Sequence, residues 1–561
     1  MPTTLINYLR MMLYTAIVVI VYMAFQLWQK EHPAPETQTT QAQVATTTDN
    51  QSTLPQQIIS DAKQAAAPAN VSTSNMAVAR SLIHVTTDVF QITIDSKGGN
   101  IVGLNLLKYP AKLHDPAPVV LLNDDPVNRY IAQSGLFGES GPDNSNGEAS
   151  FTSSQSSYTL SPDQNTLEVR LNWRNAQGVQ FTKIYTFKRN DYAIGMQYEI
   201  KNASKKPWSG NLFLQLLRKN IQPEAHHGLM MGLSTYFGAA ISSPEKPFQK
   251  ISFSKMDKTP LDQNIQKGWV AMMQHYFVSA WVPSPDITAR YFSRVTSDGL
   301  HAIGIFAPTI SVNPGETLTT GAQLYAGPEI VTQLEKVSPT LKLTIDYGWL
   351  WMISVAIFWL MQKIYAIVGN WGWSIVIVTL LIKLMFYHLS AKSYRSMSGL
   401  KKLQPKINAL KERFGDDRQK ITQATLELYR KEKVNPMSGC LPILIQIPVF
   451  IALYWVLIES VQLRQAPFMF WIQDLSVSDP YYILPVLMGL SMFLQQRLNP
   501  PAPDPTQAKI MMLMPVVFTV MFAGFPAGLM LYWFVNNTLS FLQQWFIMHR
   551  MDKAEKALKA N

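Results

Sequence analysis

The chain has 561 residues, 48 Lys and Arg against 37 Asp and Glu for a formal charge of +11, 47% apolar residues and only 15% charged ones. Ordinary soluble domains approach a quarter charged residues, so a purely soluble protein is excluded, and Cys440 as the single cysteine excludes a disulfide-stapled one. Residues 29–344 carry 26 basic and 25 acidic side chains, whereas 345–561 carry 21 and 12. The most apolar part is thus also the most basic, a pairing typical of membrane proteins with charged cytoplasmic loops.

Residues 1–30 read as an amino-terminal transmembrane anchor. Leu5 to Trp28 contains one charge, Arg10, followed by roughly 18 residues apolar enough to cross a ~30 Å hydrocarbon layer. The run ends in bulky Phe25, Leu27 and Trp28, with no small-x-small site that would mark a cleaved signal peptide. Residues 31–79, rich in Thr, Gln, Ala, Pro and Ser, read as a flexible tether, since they bury too little apolar area to offset ordering entropy.

Between 80 and 344 the texture becomes alternating. Val89 to Ile94, Leu167 to Trp173, Phe181 to Phe187 and Ala193 to Ile200 are period-2 runs separated by turn residues, which predicts a large β-sandwich. Glu224, His226 and His227 lie close together, but their spacing in a loop is no metal signature, and a solvated loop is the better reading.

From 345 the chain is membrane-like. Residues 345–369 are long enough to span, yet the parity of crossings decides otherwise. The segment 391–434 carries 12 basic and 5 acidic residues, which places it in the cytoplasm. With the β-domain outside, only one crossing fits between them. Trp371 to Leu389 takes that role, and 345–369 becomes an interfacial amphipathic helix with an aromatic belt. Met437 to Glu459, Tyr482 to Leu498, Lys509 to Phe525 and Gly528 to Met548 supply four more. The expectation is a six-helix transmembrane protein, the anchor plus a five-helix core over 370–549, with both termini cytoplasmic and a basic tail at 550–561. Within 391–434 the spacing of Leu400, Leu403, Ile407 and Leu410, a stop at Phe414-Gly415 and a cap at Asp416-Asp417 predict a cytoplasmic helical hairpin. Its basic residues Lys401, Lys402, Lys406, Lys411 and Arg413 are either topogenic charge or a contact surface for a ribosome; basicity alone does not argue for a specific nucleic acid.

Lys383 is the singular residue. An ammonium inside an apolar run costs roughly 2.5–3.5 kcal/mol on insertion scales, so it should face a wet cavity unless it snorkels to headgroups. Thr379 and Tyr387, at i−4 and i+4, make a polar stripe with it, which favours the cavity. The last run offers a matching stripe in Asn536, Ser540 and Gln543 or Gln544, and Gln446 adds a polar group from another helix. No intramembrane acid stands opposite Lys383: Glu459 is near the outer end of its run and Asp504 is in a loop. A cation in a polar concavity without a resident counter-ion suits an anionic guest, such as the acidic part of a polypeptide in transit. The sequence holds no GxxxxGK[ST], HExxH or GxSxG signature, so neither an ATP-driven pump nor these hydrolase chemistries is expected, and no cofactor or metal is implied. A different class, a small-solute transporter with a carbohydrate-capturing β-domain, would need inverted repeats that the carboxy-terminal runs lack.

The blocks Gly369-Asn370-Trp371-Gly372, Leu403-Gln404-Pro405-Lys406, Phe414-Gly415-Asp416-Asp417, Asn435-Pro436, Gly439-Cys440-Leu441-Pro442, Leu463 to Phe468 and Asp479 to Pro485 make the carboxy-terminal half resemble the YidC membrane-protein insertase family. The anchor, tether and β-sandwich look like its Gram-negative form, which implies that tether and β-sandwich are periplasmic and precede five further helices. The resemblance implies an insertase and chaperone of the bacterial inner membrane that is not an enzyme. It works alone or with the Sec translocon and its accessory subunits, on nascent membrane proteins in the lipid bilayer, with a ribosome or signal-recognition receptor as a further partner. It also implies a groove open to cytoplasm and lipid, whose usual arginine is here Lys383, and whose lining includes Thr379, Trp533 and Asn537.

Overall fold

A computed structural model describes residues 81–145, 147–221, 235–415, 417–432, 434, 441–499 and 505–560. The expected anchor and tether, and the Glu224, His226 and His227 loop, lie outside the described residues. The chain divides into two units, one comprising Ala45–Ala225 and Thr235–Ile345, the other including Asp346–Asn561.

The first unit is a sandwich of a 12-stranded and a 9-stranded sheet among the described residues. The larger is centred on Trp208–Lys219, which pairs antiparallel with Leu300–Val312 and Tyr130–Phe137. The smaller contains Thr166–Arg174, Val179–Lys188 and Ala193–Asn202 as successive antiparallel neighbours, covering three of the runs predicted from alternation. The period-2 rule places Ile194, Met196, Tyr198 and Ile200 inward from one strand. With Trp269, Trp281, Tyr185, Phe181 and Phe187 they form a fully buried aromatic-aliphatic core. Two short helices, α1 (Phe253–Lys258) and α2 (Val331–Val337), complete the unit.

The second unit is helical: α3 (Trp351–Val368), α4 (Trp371–Met385), α5 (Tyr387–Lys402), α6 (Gln404–Phe414), α7 (Arg418–Lys431), α8 (Leu441–Glu459), α9 (Ile483–Leu498), α10 (Pro505–Phe522) and α11 (Ala527–Ala560). Its boundaries have local causes. Gly369, at φ 65°, closes α3 in the left-handed conformation, and the next residue, Asn370, caps α4 by accepting from the Trp373 N–H. Gly415 ends α6 at φ 53°, and the Asp417 side chain caps α7 through the Lys420 N–H.

Two sequence expectations are corrected here. Trp371 to Leu389 is not one helix: α4 ends at Met385 and meets α5 at a 67° bend. Lys383 therefore lies in the last turn of α4, not mid-helix, and Tyr387 begins a new axis, so the i+4 stripe joining them does not exist. The hairpin's first apolar spacing also crosses a break, because α5 ends at Lys402 and α6 starts at Gln404; Leu400, Leu403 and Ile407 are nevertheless all buried. Helix α3 buries Ser354, Ile357, Phe358, Met361 and Ile364, but its other face exposes Trp351, Met352, Val355, Trp359 and Ile367. Gln362 and Lys363 are exposed on the same face, with the Lys363 ammonium over the Trp359 ring, so that face is apolar over most of its length and polar towards its carboxy-terminal end.

By length and apolarity, Gly348–Val368 qualifies as a bilayer span, α4 and α5 qualify together as a bent pair, and Ile445–Glu459, Ile483–Leu498 and Ala508–Phe522 are shorter apolar helices. These criteria single out fewer spans among the described residues than the five crossings the sequence predicts there.

Candidate functional site

A cleft opens where α4, α5, α8 and α11 meet. Helix α4 contributes Thr379, Ile382 and Lys383, and the bend adds Phe386. Ser390 of α5, Ile445, Gln446 and Val449 of α8, and Tyr532 and Asn536 of α11 complete the lining. The wall thus sets four apolar side chains, Ile382, Phe386, Ile445 and Val449, among six that carry polar groups, the mixture a binding cleft needs to hold and orient a guest.

The Lys383 ammonium donates to Ser540 Oγ at 2.5 Å. Ser540 has its own hydrogen committed, donating to the Asn536 carbonyl at 2.7 Å. Its lone pair is therefore what faces the lysine, and the ammonium keeps two N–H donors for the cleft. Among the described residues Ser540 is the one hydrogen-bond partner of Lys383, and no salt bridge reaches it. The placement in the last turn of α4 also sets the charge beside the negative end of the helix dipole. Thr379 bonds back to the Ile375 carbonyl at 2.7 Å, which satisfies its hydroxyl without a partner helix. Gln446 and Tyr532 both present polar groups to the cleft wall.

Of the residues selected from sequence, Lys383, Thr379, Gln446 and Asn536 line this cleft and Ser540 bonds to the lysine. Three others lie elsewhere. Tyr387 starts α5, where Gln543 Nε2 approaches its carbonyl at 3.4 Å. Asn537 faces α9, donating to Ser491 Oγ at 3.3 Å. Trp533 packs among Phe450 and Phe522, with ring centroids 4.6 and 4.5 Å away. Sequence reasoning missed Tyr532, Phe386 and Ser390. Tyr532 is adjacent to the recognised Trp533, and the Asn536 periodicity taken back by one turn would have found it.

The basic residues sit apart from the cleft. Lys401 and Lys402 are exposed at the end of α5, while Arg413 stacks on Phe414 at 5.6 Å. Lys411 is half-buried, and Lys406 is taken up by an ion pair with Glu432 at 2.6 Å, which holds that carboxyl below its usual range.

Residues 82–360 match the family model for the YidC periplasmic domain, and 363–555 match the 60Kd inner membrane protein model. The chain is 46% identical to the membrane protein insertase YidC of Coxiella burnetii, over 98% of each chain. It is also 46% identical to that of Stutzerimonas stutzeri, over 98% of this chain and 99% of the other. A solved active YidC insertase with its first transmembrane domain resolved is 19% identical, covering 83% of this chain and 92% of that one at a TM-score of 0.39.

Proposed function

The chain belongs to the YidC family of membrane protein insertases, and from this premise we propose that the Lys383 cleft holds the hydrophilic flank of a substrate while its apolar segment enters the lipid. The insertase activity and the large periplasmic β-sandwich are the family's; the route is our reading. The observation that carries it is the ammonium bonded to Ser540 inside a cleft with no carboxylate partner among the described residues. Partitioning of the substrate's apolar segment, worth about 25 cal/mol per Å², drives the transfer, and the polar cleft lowers the cost of desolvating the flank.

The topology belongs to the same proposal: six crossings, both termini cytoplasmic, and α3 lying along the periplasmic interface. Contacts at both ends of α3 support that last point. Tyr347 OH is 3.5 Å from Ser460 Oγ before it, and Asn370 Nδ2 donates to the Phe468 carbonyl at 3.0 Å after it. A helix of about 27 Å whose two ends meet the same α8–α9 connection runs across that end of the bundle, not away from it. Lys383 then lies about 18 Å below Trp371, on the cytoplasmic side of the midplane. Helices α6 and α7 form the cytoplasmic hairpin, and Lys401, Lys402, Lys406, Lys411 and Arg413 offer a surface to a ribosome or signal-recognition receptor. The Sec translocon is the further partner in this reading.

The test is insertion into proteoliposomes of substrates with acidic translocated tails. Lys383→Glu abolishes it and Lys383→Arg retains it; equal insertion by the Glu variant refutes the cleft's role. A stalled nascent chain should crosslink to position 383.

A further inference from the structure

The connection between α8 and α9, residues 460–482, has almost no regular structure yet is firmly built. Leu463, Ile472 and Leu475 are buried in it, the Leu475 N–H donates to the Ala466 carbonyl, and the Ala527 and Gly528 N–H groups bond to Val477 and Leu475. Asp479, fully buried, accepts from Trp471 Nε1 at 3.0 Å, from the Tyr481 N–H at 3.0 Å and from the Leu484 N–H at 2.7 Å.

This scaffold turns large apolar rings outward. Phe468 N–H bonds to the Ile472 carbonyl, closing a tight turn with Phe470 at its tip. Phe470 is 83% exposed, Tyr481 67% and Tyr482 55%. Phe470 and Tyr482 both sit at φ 56°, a left-handed conformation that bulky residues rarely adopt. A turn tip in water favours Gly or Asn at such a position, so a strained, exposed phenylalanine indicates an apolar environment around it.

We propose that this loop is a lipid-interface wedge, with Phe470, Tyr481 and Tyr482 set into the headgroup and upper acyl region of the periplasmic leaflet. The inference rests on the reading of α9 as a crossing. Tyr482 continues the exposed stripe Val486, Leu490 and Leu494 along α9, one turn apart each, so the ring lies at the end of a lipid-facing surface. Aromatic side chains are favoured at that depth. The charges nearby are directed elsewhere: Asp479 is buried, and Asp474 accepts from the Ser476 N–H and hydroxyl. Arg464, the remaining charge of the connection, is half-buried, so the outward rings themselves carry no charge to desolvate.

The full chain carrying Cys440→Ser would be spin-labelled singly at Phe470→Cys, Tyr481→Cys, Leu490→Cys and, as an aqueous reference, Asp163→Cys, in phosphatidylethanolamine–phosphatidylglycerol vesicles. Collision with oxygen relative to a nickel chelate reports depth. The wedge predicts ratios at 470 and 481 shifted above the 163 reference and below 490. A label at 470 matching 163 overturns it, as does one shielded from both reagents, which denotes a protein contact. A label at 490 matching 163 instead refutes the crossing on which the inference rests.

Discussion

Lys383 and Ser540, 157 positions apart, are joined at 2.5 Å across α4 and α11, and this pair ties the charge of the cleft to the last helix. Because Ser540 also bonds back to Asn536, one hydroxyl orders both the ammonium and a turn of α11.

Ser540→Ala removes the acceptor and leaves the charge. A hydrogen bond to a charged group contributes about 1.5–3 kcal/mol, so thermal unfolding of the detergent-solubilised chain should show a loss of that order. Insertion of substrates with acidic tails should persist, in contrast to Lys383→Glu. Loss of insertion equal to that of the Glu variant would mean that the ammonium's orientation, not its potential, is what counts.

Gly489 permits the close approach of α9 to α10: a Cβ there would collide with the Thr519 side chain. Gly489→Val should force the helices apart and destabilise the fold by about 1–3 kcal/mol, the usual cost of overpacking. Thr519→Ala should restore part of it, so a double-mutant cycle in thermal unfolding should give a coupling outside error; additivity would argue against this contact.

Asp479→Ala leaves three donors, Trp471 Nε1 and the N–H groups of 481 and 484, without their acceptor. At about 1–3 kcal/mol for a stranded buried group, the α8–α9 connection should loosen. Hydrogen exchange should accelerate at residues 481–484 while the β-domain stays protected; uniform protection would contradict this role of Asp479.

In the β-domain, Lys183 is fully buried and donates to the carbonyls of Ser134 at 2.6 Å and Gly98 at 3.0 Å, tying one sheet to the other. Burial pushes its ammonium from 10.5 down to about 7, and burial raises the carboxyls of Asp143 and Glu148. Between pH 7 and 10.5 the unfolded chain therefore binds the lysine proton more fully than the folded one, and stability rises with pH. The raised carboxyls act oppositely, favouring the folded state where they stay protonated and losing that advantage as pH climbs from the acid range. Unfolding midpoints of the β-domain should increase from pH 7 to 9.5, and Lys183→Met should flatten that slope; an unchanged slope would assign the dependence to other groups.

Removing residues 80–340 tests the division of labour. An insertase whose cleft lies in the helical unit keeps much of its activity in proteoliposomes, whereas a device dependent on periplasmic capture loses it.

Much of this architecture is a local property of the chain. Alternation at period 2 is enough to predict the strands Thr166–Arg174, Val179–Lys188 and Ala193–Asn202, because one face must be buried. The neighbours Gly369 and Asn370 announce a helix end and a helix start, since a left-handed C-cap and a side-chain N-cap are decided within a few residues. Lys383 is conspicuous because an ammonium in an apolar run is costly wherever the helix packs.

What needed the tertiary structure is everything that depends on which helix is a neighbour. The bend at Phe386 has no proline or glycine to mark it. Asn536 and Asn537 are adjacent and chemically alike, yet one lines the cleft while the other bonds Ser491 on α9. Helical periodicity assigns residues to a face, but the partner across that face is chosen by packing between distant segments, and one position on a helix rotates a side chain by about 100°.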